Sequence, residues 1–228
     1  METASFQKLM TNHCAAIRVA VLTACILAAG CTGLQPPQAE EMNVYMLDAA
    51  IPAARREARN SLVLVVDAPR AQPGYDTPRM VYVSRRHEIG FFASNRWVDT
   101  PARMLAPLLV QALEKGAGLG TVVQAPTAVA GDLRLETELI RLEQEFIARP
   151  SQVRLVLRAQ LIAARDRRVL ATRQFEETEP AATDDPYGGV LAANRAAQRV
   201  LLQVVEFCGN ETRKYSVELG EAASRSVH

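Results

Sequence analysis

The sequence predicts an α/β domain whose elements run strands, helix, strand, antiparallel meander, helix. Three observations predict it. Ser61-Leu-Val-Leu-Val-Val66 is an unbroken, largely β-branched run, the composition of a central strand covered on both faces. Two segments, near residues 101–113 and 190–205, repeat apolar side chains at the three-and-four spacing of a helix face. Between them, residues 133–175 alternate apolar and polar, as strands with one wet face do.

Taken in order, Asn43 to Leu47 reads as a short first strand, and Arg55, Arg56, Glu57 and Arg59 as a charged loop. After the central strand, Asp67 to Pro78 holds Pro69, Pro73 and Pro78 and reads as a long loop. Met80–Val83 and Ile89–Phe92 pair as a hairpin around Ser84 to Glu88. Thr100 is placed as an N-cap and Pro101 as the first helical residue. Met104, Leu105, Leu108, Leu109, Ala112 and Leu113 make that helix's apolar face, with Gly116 as its C′ residue. Pro107 removes one hydrogen bond inside it and should kink it.

Thr121 to Gln124 is a short strand. Leu133, Leu135, Thr137 and Leu139 share a face, then Ile140, Leu142 and Phe146 continue in the opposite phase, which predicts a bulge near Leu139-Ile140. Val153 to Ala163 alternates cleanly against Arg154, Arg158 and Gln160, and Arg165-Asp-Arg167 turns the chain into Val169 to Phe175. Glu136, Glu138, Glu143 and Glu145 are then the outward positions of a long strand. Glu176 to Pro186 reads as an acidic loop, with Asp185 as N-cap and Pro186 opening the last helix. Val190, Leu191, Ala193, Asn194, Ala197, Val200, Leu201, Val204 and Val205 form its stripe, rich in Ala and Val and so suited to close packing on a sheet. After Gly209 the chain turns polar.

The N-terminus carries its own signal. Lys8 and Arg18 precede a run from Val19 to Gly30 without a charge. That is too short to span a bilayer, which takes about 20 residues, and matches the apolar region of a signal peptide. It ends Leu27-Ala-Ala-Gly-Cys31, which resembles the lipobox of bacterial lipoproteins. By that resemblance residues 1–30 are removed and Cys31 carries an S-diacylglycerol and an N-acyl chain. Leu22-Thr-Ala-Cys25 also fits the short pattern, but cutting there leaves a stunted apolar region. Thr32, where an aspartate would retain the protein at the inner membrane, points to the outer membrane by the same resemblance. Residues 31–42 are then the lipidated terminus and a tether rich in proline and polar residues, 43–208 the domain, and 209–228 a polar, disordered tail.

The whole chain carries 26 basic and 25 acidic residues, and the signal removes Lys8, Arg18 and Glu2, so the remainder is balanced. No global charge favours nucleic acid. Cys14 and Cys25 leave with the signal and Cys31 takes lipid, so Cys208 stays without a disulfide partner in the same chain. His87 and His228 lie far apart, and no nucleophile elbow, Walker A loop or dinucleotide fingerprint occurs. Gly116, Gly118 and Gly120 follow a helix and read as its cap and turn, and Asp184-Asp185 reads as a cap instead of a catalytic carboxylate pair. Arg85, Arg86 and His87 form the one cluster that points to binding, of anionic lipid head groups or an acidic partner, against an ordinary solvated turn. Trp97 either caps the core at the first helix or touches a partner. Neither a catalytic residue, a metal site nor a cofactor site is expected.

Tyr45-Met-Leu47, a strand ending in Asp67-Ala-Pro69, Tyr75-Asp-Thr-Pro-Arg-Met-Val-Tyr82, Glu88 to Phe92, Arg96-Trp97 and a Pro-led helix follow one another in an order that resembles the ABC-type transport auxiliary lipoproteins, the PqiC-like or YmbA-like family. The resemblance covers residues 43–208. Val83 departs from it, standing where an arginine is expected in many relatives. The resemblance implies a mixed sheet flanked by helices, similar to the N-terminal domain of TolB. It also implies a non-catalytic periplasmic lipoprotein that works with an inner-membrane ABC permease and ATPase and an MCE-domain protein, moving lipids or other hydrophobic compounds between membranes. Homo-oligomeric rings belong to the same expectation. The alternatives are a lipid carrier with a pocket between sheet and helices and, less favoured, an anchored hydrolase.

Overall fold

The computed structural model describes residues 41–50 and 61–225. The expected signal peptide, Cys31, most of the expected tether, the expected Arg55–Arg59 loop and residues 226–228 lie outside the described residues. Two units partition the chain, Met1–Glu41 and Met42–His228, and the second carries the domain.

Its mixed sheet has nine strands: β1 (Asn43–Tyr45), β2 (Val63–Val66), β3 (Arg70–Ala71), β4 (Arg79–Arg85), β5 (Glu88–Trp97), β6 (Thr121–Gln124), β7 (Leu133–Glu145), β8 (Gln152–Ala163) and β9 (Val169–Pro180). β7 is its spine. Along one edge it pairs in parallel with β2, then β3, then β4, while the other edge is paired throughout with antiparallel β8. β6 extends the sheet beyond β2, β5 and β1 extend it beyond β4, and β9 beyond β8. Two helices, α1 (Pro101–Gly116) and α2 (Pro186–Arg225), contribute Leu105, Leu109, Leu113, Ala193, Ala197 and Leu201 to the same core as Leu64, Leu135, Leu155 and Leu157.

The central strand is where its composition put it: Leu64, Val65 and Val66 are buried, between β6 and β7. The phase slip is also real. Leu139 pairs with Leu157 and Arg141 with Val156, so Ile140 is the extra residue of a bulge. Below it Leu142 and Gln144 turn to the helices, and Arg141, Glu143 and Glu145 to the opposite face.

Several expectations are corrected. The loop after β2 contains β3, because Gln72 N–H also reaches the Leu139 carbonyl, at 2.9 Å. Thr100 stands at the N-cap, yet its side chain makes no capping bond; its own N–H donates to Asp99 Oδ1 at 2.7 Å. Gly116 is helical instead of left-handed, and the positive φ, 66°, falls at Gly118. β9 continues through the supposed acidic loop to Pro180, because Glu177 and Glu179 face Arg195, Arg199 and Gln203 of α2. α2 itself does not stop at Gly209. It stays helical to Arg225, with Thr212 and Tyr215 buried, where a disordered tail was expected.

Candidate functional site

The hairpin singled out by Arg85 and Arg86 is the β4–β5 turn. Arg86 and His87 form it, with His87 at φ 68°, an uncommon conformation for a residue with a side chain. Arg85 pairs with Glu88 at 3.4 Å on an open surface, a contact of little energetic weight. Trp97 does not join this cluster. It is 4% exposed and packed among Met80, Leu142 and Val153 beneath α2, so of its two expected roles the structure shows the one in the core.

Beneath the turn lies a cleft of about 730 Å³, with Arg86 and His87 at its rim and Tyr75, Arg141, Glu143, Glu145 and Arg154 deeper within it. The carboxylates that alternate along β7 meet here after the bulge, and two expected to be solvated are buried: Glu143 is 5% exposed and Glu145 8%. Tyr75, brought in by the loop before β4, donates its hydroxyl to Glu143 Oε2. Arg154 of β8 grips Glu145 with Nε to Oε1 at 2.7 Å and Nη2 to Oε2 at 3.3 Å, and also reaches Glu176 of β9. Gln152 donates to the same Glu145 carboxylate at 2.8 Å.

These contacts set the protonation. Burial acts to raise the Glu145 pKa, but the hydrogen bonds from Arg154 and Gln152 outweigh it and hold the carboxyl below its ordinary value. Burial, then the bond to Glu143, pushes the Tyr75 phenol well above its ordinary range. Glu145 is thereby a paired anion and Tyr75 a neutral donor at physiological pH. Neither is poised as a general acid or base. Of the cleft's other cations, Arg86 is exposed, and Arg141 touches Glu143 only at 3.8 Å.

The other carboxylates named in the sequence are structural. Asp185 Oδ1 accepts from Gly188 N–H at 2.7 Å and caps α2; that bond lowers its pKa. Asp184 Oδ1 accepts from Ser151 N–H at 2.6 Å, which lowers its own. Glu136 and Glu138 pair with Arg70 and Arg158. Cys208 is fully buried, and burial pushes its thiol up to about 12. Among the described residues no group of three or more His, Cys, Asp or Glu is placed to hold a metal ion. Tyr75, Arg141 and Arg154 were not singled out from the sequence. The outward glutamates were the available signal, but which arginine meets which glutamate depends on the register after Ile140.

Solved structures share this fold. Protein XCC0632 from Xanthomonas campestris superposes with a TM-score of 0.70 at 21% identity, over 76% of this chain and 98% of that one. An uncharacterized protein superposes with a TM-score of 0.58 at 15% identity, over 73% of this chain and 98% of its own. At these identities the likeness establishes the fold. No curated protein matches the chain. The family described as the ABC-type transport auxiliary lipoprotein component matches residues 45–205, and the chain belongs to that family.

Proposed function

We propose that this auxiliary lipoprotein is a docking component held at the outer membrane through lipid on Cys31, its domain facing the periplasm. In this reading it receives an MCE-domain protein of a system driven by an inner-membrane ABC permease and ATPase, and the cargo is lipid or another hydrophobic compound. Self-association is part of the same reading. The covalent lipid is the only non-protein group it requires.

The observation that supports docking over lipid carriage is the filling of the sheet–helix interface. The cavity there, lined by Met80, Trp97, Leu142, Val153, Gly189 and Ala193, has a volume of about 10 Å³. A site that size holds about one water and no acyl chain. The 730 Å³ cleft lies on the other face of the sheet and is floored by ion pairs, an unfavourable lining for hydrocarbon.

Cross-linking in intact cells, followed by purification through this protein, tests the reading. Recovery of an MCE-domain protein is the expected result, and its absence from cross-linked complexes overturns docking. Native mass spectrometry separates the alternative: stoichiometric lipid beyond that bound covalently to Cys31 favours a carrier.

A further inference from the structure

β1 is the edge strand that follows the tether, and its two faces differ. Tyr45 packs on the core and Leu47 is buried in it, while Val44, on the other face of β1, and Met42 and Met46, which flank the strand, stay out of the core. Met42, Val44 and Met46 are open, at 51%, 47% and 58% exposed. β1 runs parallel to β5 with Val44 opposite Arg96 and Tyr45 opposite Trp97, and Val98 N–H bonds the Tyr45 carbonyl at 2.7 Å. Met46 and Val98, the residues that follow this last registered pair, are both open, Val98 at 55% exposed. Two guanidiniums flank the stripe. Arg96 opposes Val44, and Arg79 opposes Arg96 while stacking over Phe91 at 3.7 Å. Neither arginine has an ion-pair partner among the described residues.

Scattered exposed aliphatic residues are ordinary, but a stripe bordered by uncompensated arginines at a chain entry is not. We propose that this stripe (Met42, Val44, Met46 and Val98, with Arg79 and Arg96) rests on a phospholipid surface and orients the domain against the membrane. Two features select lipid as the occupant. Residues 32–42 span at most roughly 40 Å from Cys31, so the strand that ends the tether stays within reach of any membrane holding that lipid. The pairing of aliphatic side chains with arginines matches the boundary between acyl chains and anionic head groups, where the aliphatics enter and the guanidiniums meet phosphate.

The proposal rests on acylation of Cys31, and its test separates the two. The full-length lipidated protein is purified with Met46→Cys or, as a control on the exposed side of α2, Leu202→Cys. Each is labelled with bimane; fully buried Cys208 is shielded from the reagent. The proteins are reconstituted into phosphatidylethanolamine–phosphatidylglycerol vesicles with and without brominated acyl chains. Expected is co-flotation of both, with bimane at 46 quenched about twofold or more over bimane at 202, as shallow insertion requires. Flotation with equal quenching at the two positions overturns the contact and leaves the anchor standing. A bimane at 46 that is blue-shifted but unquenched means that protein, not lipid, covers the stripe, and also overturns it. Failure to float overturns the anchor and this contact together.

Discussion

A β-carbon placed on Gly116, the last residue of α1, would stand 2.6 Å from Cγ1 of Val205 on α2. The two helices meet there with no room for a methyl group, and this closeness explains the glycine better than a left-handed cap does. Gly116→Ala gains about 1 kcal/mol of helix propensity but forces an overlap that costs about 1–3 kcal/mol, so the melting temperature should fall. Gly220→Ala, on α2 with nothing within 4 Å of the added carbon, should raise it. Thermal unfolding of the two variants checks the contrast. Equal shifts would mean that the helices separate freely.

Trp97→Ala should lower stability by about 3–5 kcal/mol, read from urea unfolding, because a large buried ring is removed from beneath α2. Arg86→Ala should change stability by less than about 0.5 kcal/mol, since it lies on an exposed turn. The two sites were grouped in the sequence as possible contacts; the structure separates a core residue from a surface one.

The cleft beneath the hairpin should produce two opposite pH limbs. Glu145 has a depressed folded-state pKa, so its stabilising contribution is present above the ordinary glutamate value of about 4.3 and is lost as pH falls through the lower folded value. Glu145→Gln should therefore cost about 1–3 kcal/mol at neutral pH, with the difference from the unaltered protein closing in acid. Tyr75 has a raised folded-state pKa, so its contribution is full below about 10 and is lost as pH rises beyond that. Tyrosinate absorbance should show one fewer late-titrating group in Tyr75→Phe. Urea unfolding across pH, with that absorbance titration, tests both limbs.

At the start of α2, Asp185→Ala should destabilise by about 0.5–2 kcal/mol while Asp185→Asn retains most of the cap. If the protein had a hydrolytic activity, it should survive Asp184→Ala, since that carboxylate is engaged by the Ser151 backbone. Circular dichroism melts of the Asp185 variants, beside activity of the Asp184 variant, decide between cap and catalyst.

Cys31→Ala should abolish membrane fractionation while the far-ultraviolet spectrum and melting temperature stay unchanged. Acylation contributes about 0.8 kcal/mol per buried CH₂, so losing more than one chain is decisive for partitioning. Unchanged fractionation would transfer the anchor to Cys25 or away from cysteine altogether.

Periodicity alone determined the element types, the buried central strand and even the bulge at Ile140, because each is a local property of which residues fall on which face. The same local logic misjudged residues 176–180 and 210–225. Their polar side chains look like loop and tail until their partners are known. Glu177 and Glu179 sit in a strand because Arg195 and Arg199 lie opposite, and the end of α2 gains an ion pair from Glu218 to Arg168, 50 residues away. Likewise the glutamates of β7 were visible as outward positions. Only the tertiary structure decided that Tyr75 would close over Glu143 and Arg154 would grip Glu145. Those pairings depend on strand register and on a loop returning from 68 residues away, and no local period encodes them.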